Sequence, residues 1–214
     1  MRTRLVTGFL VGLLSALPAA AATCPGTVVL QDSFNSVNPA LNMDVNDSAK
    51  VAVQGGKAEI TVSKPGYARS ELYVGSRFGD ANVCLTVSTP ATDKSEKQDF
   101  GVVFWADSFA TYYTFEITPE GMFSVAQKLP SGQWSYPVHL TASPAIVQGT
   151  GKSNSLRVLT KGNTATFFIN DQQVGTVDGT PPAGGGLAGF IGDTSDPISG
   201  PDSFEFTSFT VAIP

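Results

Sequence analysis

The chain has 214 residues, of which 42% are hydrophobic and only 14% charged, with a formal net charge of −5. An acidic chain this poor in Lys and Arg lacks the electrostatic footprint of a nucleic-acid-binding protein or of one drawn to anionic membranes. Abundant Gly, low charge and many short aromatic runs exclude a disordered chain and favour an all-β domain.

The chain opens with a basic tetrapeptide, Met1-Arg-Thr-Arg4, then the apolar run Leu5–Leu17, then Pro18-Ala-Ala-Ala-Ala22. That order is the pattern of a secretory signal peptide over 1–22, with cleavage after Ala22. The apolar run is shorter than the roughly 20 residues a membrane helix needs, and no later stretch is longer, so no membrane span is expected. A lipid on Cys24 is disfavoured by Thr23 before it. The mature chain, 23–214, is long enough for one domain with a full core. Loss of Arg2 and Arg4 leaves it at −7. Export to the periplasm or the medium makes a disulfide the natural use of the two cysteines, Cys24 and Cys84. Closing so long a loop is worth roughly 4 kcal/mol in the chain-entropy picture.

Thr27–Gln31 reads as a first strand. A polar loop over 35–46 follows, with room for one helical turn around Pro39–Leu41. Lys50–Gln54 and Ala58–Ser63 flank Gly55-Gly56, a tight-hairpin signal. Tyr67–Val74 and Asn82–Ser88 are extended, and in the latter Val83, Leu85 and Val87 share one face while Cys84 takes the other. Pro90 to Lys97 is a charged surface loop. The centre of the chain, Phe100–Gln127, is an aromatic meander with strands Phe100–Trp105, Tyr112–Ile117 and Met122–Gln127. Gln133–Leu140, Ser155–Lys161, Thr164–Asn170, Gln173–Val177 and Leu187–Ile191 continue the pattern. Gly192–Pro201 reads as a polar loop. In the last strand, Ser203–Ile213, Phe204 and Phe206 have one parity and Phe209, Val211 and Ile213 the other. Both sets face one core only if a β-bulge lies near Thr207-Ser208. Roughly twelve strands without a helix or an internal repeat predict two stacked sheets.

Three stretches carry a resemblance. Tyr112-Tyr-Thr-Phe-Glu-Ile-Thr-Pro-Glu-Gly-Met-Phe-Ser-Val resembles the aromatic meander of concanavalin-like and laminin-G-like jelly rolls. Asn154–Gly175 resembles their paired hairpins, and Ser208-Phe-Thr-Val their closing strand. More narrowly, the chain is similar to the secreted bacterial three-keto-disaccharide hydrolase-type domains. The resemblance implies a jelly-roll sandwich of two antiparallel sheets with a concave face suited to sugars. It specifies fold more than function, since such folds host lectins, glycosidases and adhesion modules.

A sugar site joins an aromatic platform to a few polar groups. Alternation assigns Tyr113, Phe115 and Ile117 to the core and Tyr112, Thr114 and Glu116 to the open face. It puts Val102 and Phe104 on one face of their strand and Val103 and Trp105 on the other. The ligand-binding candidates are therefore Tyr67, Arg69, Glu71, Trp105, Tyr112, Glu116 and Trp134, with Tyr67, Arg69 and Glu71 sharing a strand face. Glycoside cleavage needs two carboxyls about 5–9 Å apart. Glu71, Asp99, Asp107 and Glu116 are available and Glu116 is the catalytic candidate, but the acidic cluster that jelly-roll glycosidases carry on one strand is missing. His139, the single histidine, has no nucleophile motif near it and reads as a strand-surface residue. Asp193, Asp196 and Asp202, read as one loop, supply oxygen ligands of the kind calcium takes; otherwise no cofactor is expected. The sequence favours an exported glycan-binding sandwich without catalysis, ahead of a hydrolase of disaccharides or keto-glycosides and ahead of a structural envelope protein. It assigns no oligomeric state.

Overall fold

The structure is a computed structural model that describes residues 23–43, 46–88, 98–194 and 201–214. The leader at 1–22, the loop at 90–97 and Asp196 lie outside the described residues.

Those residues form fourteen strands and no helix. The first half of the chain supplies β1 (Thr27–Asp32), β2 (Ala49–Gln54), β3 (Lys57–Val62), β4 (Ala68–Phe78), β5 (Ala81–Ser88), β6 (Gln98–Ser108) and β7 (Thr111–Ile117). The second half supplies β8 (Met122–Lys128), β9 (Trp134–Ala142), β10 (Ser153–Lys161), β11 (Thr164–Ile169), β12 (Gln172–Asp178), β13 (Gly186–Thr194) and β14 (Asp202–Ile213). An eight-stranded sheet runs β12-β11-β10-β5-β14-β3-β2, with β1 also paired to β14. A six-stranded sheet runs β4-β13-β6-β7-β8-β9. All the pairings are antiparallel.

Local sequence sets the turns. Gly55 and Gly56 both take positive φ, 62° and 79°, and close the β2–β3 hairpin as a two-residue turn requires. Asn170 and Asp171 do the same between β11 and β12, at 49° and 63°. Asn170 holds that corner by donating to the Ala145 carbonyl and accepting from the Ser155 amide. The expected helical turn around Pro39–Leu41 is instead a turn whose Leu41 bridges to Tyr73 of β4.

The sheets meet through rings. Phe115 and Phe167 approach to 4.9 Å between centroids, Phe190 and Phe206 to 4.7 Å, and Tyr73 stacks on Phe209 at 4.6 Å. Each buried ring is worth about 1.5–3 kcal/mol over an exposed one. The bulge expected in β14 is present as a register shift between Phe206 and Ser208. It leaves Thr207 exposed while Phe204, Phe206, Phe209 and Val211 all enter the core. Ile213, expected to share that face, is exposed at the strand's end. The Cys24–Cys84 disulfide forms as expected, fastening the start of the described chain to the solvent-side parity of β5. No helix among the described residues is long and apolar enough to cross a membrane.

Candidate functional site: the outer face of the six-stranded sheet

Alternation along β7 is obeyed. Tyr113, Phe115 and Ile117 lie in the core between the sheets, while Tyr112, Thr114 and Glu116 take the opposite face. That outer face is better covered than alternation alone predicts. Tyr112 joins a second apolar cluster with Leu72, Val103, Ala106, Leu187 and Ile191, and is almost wholly buried. Trp134 of β9 meets the Tyr112 ring edge-on at 5.8 Å, and Lys128 Nζ lies over the same ring at 5.2 Å. The Tyr112 hydroxyl shares a side-chain hydrogen bond with Ser70 of β4, and its pKa is raised, chiefly by burial.

Trp105 is not on this face. Its φ is +46°, a left-handed conformation that bulky residues seldom adopt. The β6–β7 register shifts between Phe104 and Ser108, and the β6–β13 register between Leu187 and Gly189. The irregularity breaks the alternation, so Trp105 follows Phe104 into the core, against Phe104 at 5.4 Å and Tyr113 at 5.5 Å. The expectation that Trp105 faces a ligand is thereby corrected.

Three carboxyls from three strands come together on this face. Asp193 of β13 pairs directly with Asp99 of β6, and Gly101, two residues along β6, pairs with Glu116 of β7. Directly opposed side chains have Cβ atoms about 5 Å apart, and diagonal ones about 7–8 Å. Glu116 is 5% exposed. Thr114 Oγ1 donates to its Oε2 at 2.6 Å, while Oε1 is buried without a hydrogen-bond partner. Burial, then the charges of Asp99 and Asp193, hold the Glu116 carboxyl well above the usual range. Burial, then Glu120, pushes Asp99 up to about 6. Burial, then Asp99, pushes Asp193 up to about 7. Tyr136 of β9 is close enough for burial and these same three acids to raise its hydroxyl pKa.

A cleft of about 310 Å³ opens beside this row, lined by Asn42, Tyr67, Ala68, Ser70, Phe109 and Lys128, with Arg69 also in its wall. Ala68 is the ladder partner of Asp193, so the cleft wall and the carboxyl row meet at the β4–β13 pairing. Its size falls at the lower end of small-molecule sites.

No protein-family model matches the chain, and no curated protein matches it. Solved structures do. The catalytic domain of an endo-1,3-beta-glucanase (laminarinase) from Thermotoga petrophila superposes with a TM-score of 0.62 at 8% identity, covering 88% of this chain and 98% of that one. A Bacillus licheniformis beta-glucanase gives 0.58 at 10% identity, covering 88% and 99%. The carbohydrate binding module CBM66 from Bacillus subtilis gives 0.58 at 13% identity, covering 81% and 95%. The fold is a concanavalin-like jelly roll. At these identities the likeness carries the fold and nothing of the chemistry.

On this jelly roll the other sequence candidates fall in different places. Arg69 and Glu71 do pair, Arg69 Nε donating to Glu71 Oε1 at 2.5 Å. Yet Glu71 is opposite Phe190 in the ladder and Arg69 opposite Gly192, whose Cα side abuts the Phe204 ring. Both therefore have the interior parity of β4 rather than that of the open face; Arg69 still contributes to the cleft wall, whereas Glu71 is wholly buried and is not among the cleft residues. Tyr67 precedes β4 at the cleft, its hydroxyl accepting from Asn46 Nδ2 at 3.3 Å and Lys64 lying over its ring. Asp193 and Asp202 do not share a loop. Asp193 is on β13 of one sheet, and Asp202 is buried at the start of β14 in the other. Among the described residues no three His, Cys, Asp or Glu side chains converge as metal ligands. Asp107 is apart from the carboxyl row and pairs with Arg77 at 3.3 Å. His139 is exposed on β9 and stacks on Tyr136 at 6.0 Å.

Ser70, Asn42 and Lys128 were absent from the sequence candidates. Ser70 lies two residues from Leu72 on the outer face of β4, so alternation along that strand could have found it once the face was known, whereas nothing local marks Asn42 or Lys128 as neighbours of β4.

Proposed function

We propose that this is an exported carbohydrate-binding protein whose ligand lies on the outer face of the six-stranded sheet. The observation that carries the reading is the cleft between Tyr67, Ser70, Asn42 and Lys128. It supplies hydroxyl, amide and ammonium groups beside the Tyr112–Trp134 ring pair, the mixture that hydroxyl-rich, partly apolar sugar rings require. The binding and catalytic functions in the names of its structural neighbours are in keeping with it. Export is supported by the leader pattern and by the disulfide. The test is calorimetric titration of residues 23–214 with a panel of neutral and charged oligosaccharides, repeated on Ser70→Ala and Trp134→Ala. Saturable binding weakened by both substitutions is expected, and no binding across the panel defeats the reading.

A second reading, hydrolysis of a glycosidic bond, has one specific observation in its favour. Asp99, Asp193 and Glu116 have carboxyls at different depths with raised pKa values, the differentiation that a general acid and its carboxylate partner need. Disaccharides and keto-glycosides are the substrates to offer. Turnover abolished in both Glu116→Gln and Asp193→Asn is the expected outcome. Full turnover in both variants, or none in the wild type, removes it.

A further inference from the structure

The carboxyl row has a property that sugar binding in general does not explain. Asp99 and Asp193 occupy directly paired positions of adjacent strands, an arrangement that like charges disfavour. Glu116, on the next strand, carries a buried oxygen without a partner. The groups that act on these carboxyls are one another, Glu120, the Thr114 hydroxyl and the Thr194 amide. Among the described residues, the donors that act on their titration are thus a hydroxyl and an amide, and the charges that do so are acids. Spread over three strands, the acids do not converge on one metal-sized point. The cleft wall reaches them through Ala68.

We propose that this row is a subsite for a cation carried on a sugar, namely the free ammonium of an amino sugar whose ring lies in the adjoining cleft. The inference rests on the carbohydrate-binding reading and narrows its ligand class. An ammonium donates three hydrogen bonds and no other common sugar substituent brings a positive charge. Placed against Asp99 and Asp193 it relieves their repulsion, beside a Glu116 oxygen that the protein leaves without a donor. A uronate or a sulfated ring would add negative charge to the same place and is excluded. The acetylated amine has lost both its charge and two of its donors, so discrimination between the free and the acetylated sugar follows from the same residues.

The experiment compares glucosamine oligomers, their N-acetylated counterparts, uronate oligomers and an oligolysine, at about neutral pH and in moderate salt, by calorimetry on residues 23–214. The glucosamine oligomer should bind at least about tenfold more tightly than the acetylated one, the scale of one charge-assisted hydrogen bond. Asp193→Asn and, separately, Asp99→Asn should erase that preference. Glu59→Gln, which removes the same charge from the opposite sheet, should keep it. Thermal melts of each variant report folding. Acetylated oligomers binding as well as free ones overturns the amine subsite and leaves the carbohydrate reading standing. No binding by any sugar overturns both. Oligolysine binding as tightly as the glucosamine oligomer, or a preference that survives in both Asn variants, shows non-specific attraction to an acidic protein and overturns the subsite.

Discussion

Asp99 and Asp193 face each other across the β6–β13 ladder, two acids at directly paired positions on the outer face of one sheet. Both carboxyls have folded-state pKa values above the ordinary 3.8, at about 6 and about 7. The unfolded chain therefore gives up these protons first as pH rises. Between about pH 4 and pH 7 the folded state holds more protons, so stability falls as pH rises through that window, and the penalty is complete above it. Allowing for partial solvent screening, the loss should be on the order of 1 kcal/mol per carboxyl. Melting temperature measured against pH should decline from about pH 5 to pH 8. Asp193→Asn should flatten that decline and melt higher than wild type at the alkaline end. An equal decline in the variant would show that Asp193 is not its source.

The two tryptophans should report separately. Trp105 is enclosed by Phe104 and Tyr113, while Trp134 is partly exposed beside Tyr112. Emission of Trp134→Phe should be that of a buried indole and insensitive to ligand. Trp105→Phe should keep the ligand-dependent change. Replacing Trp105 by Ala should cost about 3–5 kcal/mol through the cavity it leaves, read by chemical denaturation, whereas Trp134→Ala should cost far less.

Gly101 is fixed by its neighbours. A Cβ there would lie 2.0 Å from the Phe115 carbonyl oxygen and 2.8 Å from Glu116 Cα. Both are backbone atoms of β7 and cannot step aside as a side-chain tip can. Gly101→Ala should destabilise by at least about 3 kcal/mol or prevent folding. Far-ultraviolet circular dichroism with urea titration checks this, and a wild-type midpoint would contradict the close approach.

Replacing Cys24 and Cys84 together by Ser should lower stability by about 2–4 kcal/mol and leave ligand binding intact. The disulfide is on the other sheet from the cleft. Equilibrium denaturation gives the first quantity and titration the second.

Much of this fold is written in short-range pattern. The Gly55-Gly56 hairpin, the division of β7 into core and open faces and the bulge after Phe206 all follow from alternation and turn chemistry, which act over a few residues. Trp105 escaped because alternation assumes an unbroken strand, and a single left-handed residue breaks it. Arg69 and Glu71 were rightly set on one face, but which face is core depends on the partner strand, and that strand is β13, far along the chain. The Asp99–Asp193 pair could not be read at all. From sequence alone Asp99 reads as a catalytic carboxyl and Asp193 as a calcium ligand, and only long-range register makes them neighbours.

The last of the described strands, β14, lies inside the eight-stranded sheet, with β5 along one edge and β3 then β1 sharing the other. The earliest strands thus wait for the latest one. Hairpins such as β2–β3 and β10–β11 join neighbouring residues, but β1 finds its partner, and β5 the second of its two, only in β14. Closing this sheet therefore depends on contacts far apart in sequence, and loss of that one segment would expose the unpaired edges of β1, β3 and β5 at once.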